Sequence, residues 1–141
     1  YETVTDKAAM GGIELFHGYT YSGHPAACAA GLASMAIYRE EQLFERANDM
    51  APYFEKAVME LAELDLVKDI RTIGMMAGVE LYPGDKPGLR GVAAQTDLFW
   101  NGCHIKFTGD NAILAPMFIS EEKHIDEIVD KLRKTIEAIP A

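Results

Sequence analysis

Apolar residues recur at helical spacing in three parts of the chain. Between residues 41 and 64 they lie three or four positions apart, which predicts an amphipathic helix, and Pro52 within it predicts a kink or a break. The same spacing predicts a second helix over residues 89–100 and a third over residues 120–138, with Ser120 as the N-cap of the third. The apolar stripe of the third helix consists of Ile125, Ile128, Val129, Leu132 and Ile136.

Short runs of β-type residues lie between these helices. Val67–Ile73 and Met75–Leu81 predict two strands joined at Gly74, because alternate residues of the second are apolar. His104–Phe107 and Ala112–Ala115 flank a Gly-Asp pair, which predicts a hairpin. The order of elements, ααββαββα, predicts an α+β domain with a small, mainly antiparallel sheet and helices on one face.

The N-terminal part of the chain has a different pattern. Residues 1–22 are rich in turn formers and mixed in polarity, so we expect an extended segment. Pro25 suits the first turn of a helix over residues 26–38, and most residues of this helix are small. Such a helix packs closely on most of its sides. We therefore expect residues 1–38 to belong to a larger neighbouring structure and residues 39–141 to form a small domain.

Composition narrows the possible partners and surroundings. The chain has 141 residues, 49% of them hydrophobic, and a net charge of -9, which argues against a nucleic-acid partner. It contains neither an apolar run long enough to span a membrane nor a signal-peptide pattern. Cys28 and Cys103 are far apart and lack a CxxC arrangement. We expect two buried free thiols and a cytoplasmic protein.

The histidines do not form a known catalytic or metal-binding pattern. The chain has four, His17, His24, His104 and His124, and no GxSxG, HExxH or Cys-His motif. We therefore expect no metal site. A small hydrolase or lyase in which His17 or His24 pairs with an aspartate stays open as an alternative, because such a pair is recognised by geometry.

The segment HGYTYSGHP, residues 17–25, resembles a signature loop of the class III transaminases, which are fold-type I enzymes that use pyridoxal 5'-phosphate (PLP). Glycines, backbone N–H groups and a hydroxyl are the groups that phosphate binding requires. The resemblance implies that Thr20, assisted by the backbone at Tyr19, contacts the PLP phosphate of the neighbouring subunit. It also implies a homodimer.

Two further segments resemble the same family. Residues 70–81 are similar to its VRNIGLMAGIEL-type strand pair, and Thr108-Gly109-Asp110 agrees with a VRxTGD string. Family members usually have an arginine, which binds the substrate carboxylate, at the position that Lys106 occupies here. The resemblance therefore implies a substrate-binding role for Lys106. A lysine offers a mobile point charge, whereas an arginine offers a planar fork. A solvated strand lysine is the alternative.

Taken together, the chain resembles the C-terminal region of ω-amino acid:pyruvate and β-alanine:pyruvate transaminases. In that family, the Schiff-base lysine and the cofactor-binding large domain come before the matched region. The resemblance thus implies that the substrates are an amine or amino acid and pyruvate, that the cofactor is PLP, and that no catalytic residue lies in this chain. Alone, the chain is then expected to be inactive. A self-standing dimerisation or interaction domain derived from a transaminase is the alternative.

Overall fold

The computed structural model describes residues 2–7 and 18–140. By its internal contacts the chain divides into two compact units, residues 1–36 and 37–141. No helix in the described part of the chain is long and apolar enough to cross a membrane.

The first unit contains a short helix that the sequence did not predict. Helix α1 spans Glu2–Lys7, within the segment that we expected to be extended. Glu2 in the first turn and Lys7 in the last turn complement the helix dipole, whereas Asp6, near the C-terminal end, opposes it. Helix α2 spans Pro25–Glu40 and crosses the boundary between the units at residue 36, and its first backbone hydrogen bond runs from the Cys28 N–H to the His24 carbonyl. None of its residues is buried.

Three further helices belong to the second unit. Helix α3 spans Leu43–Met59, is followed by a 3-10 turn over Glu60–Glu63, and continues through Pro52 without a break. Of the predicted kink or break, the break does not occur, because Phe54 and Val58, beyond the proline, are fully packed in the core, and the kink stays a prediction. This burial offsets the cost of an interior proline, about 3 kcal/mol.

Helices α4 and α5 complete this set. Helix α4 spans Leu89–Trp100, as predicted, and α5 spans Glu122–Ala138. Ser120 is buried and is not the N-cap of α5. Glu121 occupies that position because its side chain accepts the His124 backbone N–H, while the His124 ring accepts the Glu121 N–H at 3.0 Å.

Four antiparallel strands form one sheet. Strands β1, Val67–Ile73, and β2, Met76–Leu81, pair as a hairpin around Gly74, whose φ is +54°. Strands β3, Lys106–Thr108, and β4, Asn111–Leu114, form the second hairpin, and the strand order is β1-β2-β4-β3. This second hairpin is tighter than the sequence predicts, because the strands extend to Thr108 and Asn111 and leave only Gly109 and Asp110 in the turn.

The hydrophobic core lies on one face of this sheet. Along β2 and β4, buried residues alternate with partly exposed or exposed ones, so that only one face is covered. The predicted α+β fold with helices on one face is confirmed. The core residues of the sheet and helices are Phe54, Val58, Leu61, Met75, Ala77, Val79, Leu81, Leu98, Ile105, Ala112, Leu114, Ile125, Val129, Leu132 and Ile136.

The cysteines differ in part from the expectation. Both are free thiols, but Cys28 is exposed and Cys103 is half-buried. Cys28 lies on α2, which has no buried residue in this chain, whereas Cys103 packs against the core of the second unit. Burial raises the pKa of the Cys103 thiol.

Candidate functional site

Tyr19 and Thr20 lie in an exposed turn just before α2. The Tyr19 carbonyl accepts the Ser22 N–H at 3.0 Å, so that Thr20 and Tyr21 occupy the two central positions of the turn. Gly23, with a φ of +77°, follows the turn and leads the chain into the helix. Thr20 is exposed in this turn, between two exposed tyrosines, Tyr19 and Tyr21.

The two histidines of this segment give no support to a hydrolase or lyase. His17 lies outside the described residues. His24 is exposed, and within residues 18–140 its side chain makes no hydrogen bond or ion pair with a carboxylate. The described residues also contain no group of three or more His, Cys, Asp or Glu residues that could hold a metal ion.

Lys106 begins the edge strand β3, in the second unit. It pairs with Ile113, which in turn pairs with Gly78, which pairs with Arg71. Directly paired residues point to the same face of a sheet, and the residues next to Gly78 along β2 are buried. Lys106 and Arg71 therefore stand at opposite ends of one row, on the face of the sheet that α3, α4 and α5 leave open.

The two cations of this row differ in their surroundings. The guanidinium of Arg71 contacts the Glu80 carboxylate at 3.1 Å and the Asp69 carboxylate at 3.4 Å. Lys68 also bonds Glu80, at 2.6 Å, and with Arg71 lowers the pKa of that carboxyl. Lys106 is exposed and forms no ion pair with any described residue. It is therefore the cation of this row whose charge is available to a ligand.

An open groove of about 800 Å³ runs past Lys106, between the start of β3, the segment after β4 and the N-terminal half of α5. Its walls are mostly apolar, with Ile113, Pro116 and Met117 among the residues that line it. On the α5 side, Lys131 is paired with Glu127 at 2.7 Å. Among the described residues, the groove thus combines the Lys106 ammonium group, which has no ion-pair partner there, with mostly apolar walls, which suits a small molecule that carries an anionic group.

The turn between β3 and β4 is attached to the start of α4. The Asp110 carboxylate accepts the Gly88 N–H at 2.7 Å and the Gly91 N–H at 2.9 Å, and so caps the helix from a distant part of the chain. A Cβ on Gly91 would lie 2.0 Å from the Gly109 carbonyl oxygen. Only a glycine permits this approach. Thr108-Gly109-Asp110 therefore has a structural role that the sequence analysis did not identify.

Arg46, on α3, holds the segment that forms one wall of the groove. Its guanidinium donates to the carbonyls of Phe118, Ile119 and Ser120, at 3.1, 3.0 and 3.2 Å. Three carbonyls on one planar group fix the path of this segment between β4 and α5. The sequence offered no signal for this role, because Arg46 is one polar residue on the solvent side of an amphipathic helix.

Comparisons with known proteins identify a family that this chain resembles in sequence and in fold. The class III aminotransferase family profile matches residues 2–136. An omega-aminotransferase of Caulobacter vibrioides is 45% identical over 88% of this chain and 28% of its own length. An omega-amino acid–pyruvate aminotransferase of Pseudomonas putida is 34% identical over 88% of this chain and 28% of its own length. A solved thermostable omega transaminase mutant from Pseudomonas jessenii superposes with a TM-score of 0.79 at 29% identity, over 87% of this chain and 29% of that one.

This chain spans less than a third of the length of these relatives. Within that span, the match extends from α1 into the last turn of α5 and so covers the exposed turn, the sheet and the groove beside Lys106. The chain belongs to the class III aminotransferases.

Proposed function

We propose that this chain is the C-terminal part of a PLP-dependent ω-amino acid:pyruvate aminotransferase, which transfers an amino group from an ω-amino acid or amine to pyruvate. The observation that carries the proposal is that Lys106, exposed on the first pair of the β3–β4 hairpin, forms no ion pair with any residue in the ranges 2–7 and 18–140. It stands where the resemblance expects a carboxylate-binding arginine, and both pyruvate and an ω-amino acid carry a carboxylate. Relatives at 34% identity are named for β-alanine–pyruvate and ω-amino acid–pyruvate transfer.

The described residues also fit a phosphate-bearing cofactor. The turn at Tyr19 and Thr20 exposes a hydroxyl and short backbone segments without an acidic side chain between Gly18 and His24. In this proposal the Thr20 hydroxyl and the backbone at Tyr19 hold the phosphate of PLP. When bound, PLP supplies the electron sink for amino transfer, while protein groups orient the reactants.

Lys106 would hold the substrate carboxylate by charge. An ammonium group contributes one point charge on four rotatable methylene groups, so it attracts a carboxylate but fixes its orientation weakly. An arginine would add a second parallel hydrogen bond and a defined plane. The proposal therefore implies a carboxylate site that tolerates substrates of different length more readily than an arginine site does.

The remaining features of the whole protein are part of the same proposal. Residues 1–38 would belong to the large-domain and dimer region, and residues 39–141 would form the small C-terminal domain. The cofactor would be held at the interface of a cytoplasmic homodimer, with Thr20 acting on the partner's cofactor. Because the chain spans only 28% of the Caulobacter relative, we propose that it is inactive alone.

Substitution of Lys106 tests the proposed function. In the full-length enzyme, Lys106→Ala should raise the KM for pyruvate about tenfold or more, because a charge-assisted hydrogen bond is worth roughly 1.5–3 kcal/mol. Lys106→Arg should lower that KM, since the fork also orients the carboxylate. Steady-state kinetics should compare one carboxylate-bearing donor with one plain amine. Lys106→Ala should raise the KM for the carboxylate-bearing donor and leave that for the plain amine unchanged.

Lys86→Ala is the matched control, because Lys86 is an exposed lysine in the loop before α4. It removes the same charge from the same unit and should leave the KM values for pyruvate and for both donors unchanged. If Lys106→Ala changed neither the KM for pyruvate nor that for the carboxylate donor by more than the control does, the carboxylate role would be wrong.

Substitution of Thr20 addresses the cofactor part of the proposal. Thr20→Ala in the full-length enzyme should weaken PLP retention by about tenfold to a hundredfold, the value of one hydrogen bond to a charged acceptor. The fold should stay intact, because Thr20 is exposed. Equilibrium dialysis of PLP measures the affinity, and Thr96→Ala, on the exposed side of α4, serves as the control. An unchanged PLP affinity in Thr20→Ala would show that Thr20 does not bind the phosphate.

A further inference from the structure

In the part of the chain that the structure describes, strand β3 has one neighbouring strand. It consists of three residues and pairs with β4 alone, at the edge of the sheet. The edge N–H of Phe107, the residue after Lys106, has no strand to bond with. The Gln95 side-chain carbonyl on α4 accepts that N–H, with an N···O distance of 3.0 Å. Gln95 thus supplies the hydrogen-bond acceptor that a neighbouring strand would otherwise provide to the Phe107 N–H.

The register of β3 decides which way Lys106 faces. In the structure, Lys106 pairs with Ile113, Phe107 with Ala112 and Thr108 with Asn111. Because side chains alternate along a strand, a slip of one residue would turn Lys106 towards the helices and Phe107 towards solvent. A ladder of three pairs specifies register weakly, so contacts from outside the ladder have a large share in fixing it.

Helix α4 supplies those contacts at two points, in the middle of the strand and in the turn that follows it. Asp110 joins the turn after β3 to the Gly88 and Gly91 N–H groups. Gln95 lies on the helix after Gly91 and bonds the middle of the strand. The Asp110 contact holds the end of β3 that is distant from Lys106, whereas the Gln95 contact holds the peptide group that joins Lys106 to Phe107.

We propose that Gln95 is a positioning residue for Lys106: by accepting the Phe107 N–H, it holds β3 in the register that presents the Lys106 ammonium on the open face of the sheet. The inference rests on the proposed carboxylate role of Lys106. Gln95 itself does not line the groove, and it acts on the substrate only through the strand.

Two substitutions of nearly equal size separate the hydrogen bond from simple packing. Gln95→Met removes the acceptor and keeps the length of the side chain, whereas Gln95→Glu keeps an acceptor oxygen at the same place. Thr96→Val is the control on the same helix, since the Thr96 hydroxyl bonds only the Val92 carbonyl within α4. Amide hydrogen exchange of the 141-residue chain, followed residue by residue by NMR, reads the strand directly.

In Gln95→Met, the Phe107 amide should exchange roughly three- to tenfold faster, as expected for the loss of one neutral hydrogen bond, while the amides of β1 and β2 keep their rates. Gln95→Glu should restore the slow rate, and Thr96→Val should match the unsubstituted chain. An unchanged Phe107 rate in Gln95→Met, or an equal acceleration throughout the sheet, would overturn the proposal.

Kinetics of the holoenzyme then test the link to the substrate. Gln95→Met should raise the KM for a carboxylate-bearing donor several-fold, leave that for a plain amine unchanged and leave kcat with the plain amine unchanged. Gln95→Glu should reverse the effect. If Lys106→Ala impairs carboxylate donors and Gln95→Met does not, the positioning role is wrong. If Lys106→Ala has no effect, the carboxylate function itself fails, whatever the exchange rates show.

Discussion

Replacing Gly91 with alanine should destabilise the second unit by roughly 3 kcal/mol, at the upper end of the usual cost of overpacking. The added Cβ would lie 2.0 Å from the Gly109 carbonyl oxygen and 3.2 Å from the Asp110 Cα. Both are backbone atoms, so no side chain can rotate away, and α4 and the β3–β4 turn must separate. Urea unfolding followed by circular dichroism measures the loss.

Gly31→Ala provides the matched control. Gly31 is also a glycine within a helix, α2, but a Cβ added there would meet no atom within 4 Å. Alanine should therefore stabilise its helix by about 0.4–1 kcal/mol, because the unfolded chain loses freedom. If Gly91→Ala behaved like Gly31→Ala, the close approach of α4 and the turn would be disproved.

Asp110→Ala should lower the free energy of unfolding of the second unit by about 3 kcal/mol or more. The carboxylate accepts hydrogen bonds from Gly88 and Gly91, and bonds to a charged group contribute about 1.5–3 kcal/mol each. The substitution also removes a negative charge from the N-terminus of α4, where the helix dipole favours one. Asp110→Asn should lose less, because one acceptor oxygen remains. Thermal and urea unfolding of both variants check this order.

Asp85→Ala is the control for the loss of charge. Asp85 is an exposed carboxylate in the loop that precedes α4, so its removal changes the net charge equally. We expect an effect within about 0.5 kcal/mol, which is typical of surface substitutions. Equal effects of Asp85→Ala and Asp110→Ala would mean that the cap across the turn contributes nothing to stability.

The parts of the fold that the sequence predicts correctly are those set by local periodicity. The bounds of β1 and α4 match the prediction, because apolar spacing and flanking turn residues act within a few positions. The predicted N-cap of α5, Ser120, lies one residue before the observed N-cap, Glu121. A serine is the stronger capping residue in general, but Glu121 and His124 satisfy each other's backbone groups here, and Ser120 is buried instead.

For the candidate site too, the sequence predicts some features and misses those that depend on contacts between distant residues. The sequence, through its family resemblance, predicts which residues bind, and the structure locates Thr20 in a turn and Lys106 on a strand. The sequence does not predict which residues hold Lys106 in place. Gln95 and Asp110 act across separations of 12 and 19 to 22 residues, so neither contact leaves a pattern in the neighbouring sequence.

The contacts between α3 and the C-terminal part of the chain bear on the order of folding during synthesis. Arg46 bonds carbonyls 72 to 74 residues later, and Tyr53 donates to Asp126 at a separation of 73 residues. A ribosome releases α3 and the first hairpin long before these partners exist. The core on the covered face of the sheet therefore stays incomplete until α5 emerges, because Ile125, Val129, Leu132 and Ile136 belong to it. We expect nascent chains that stop before Leu132 to be clients of chaperones rather than folded intermediates.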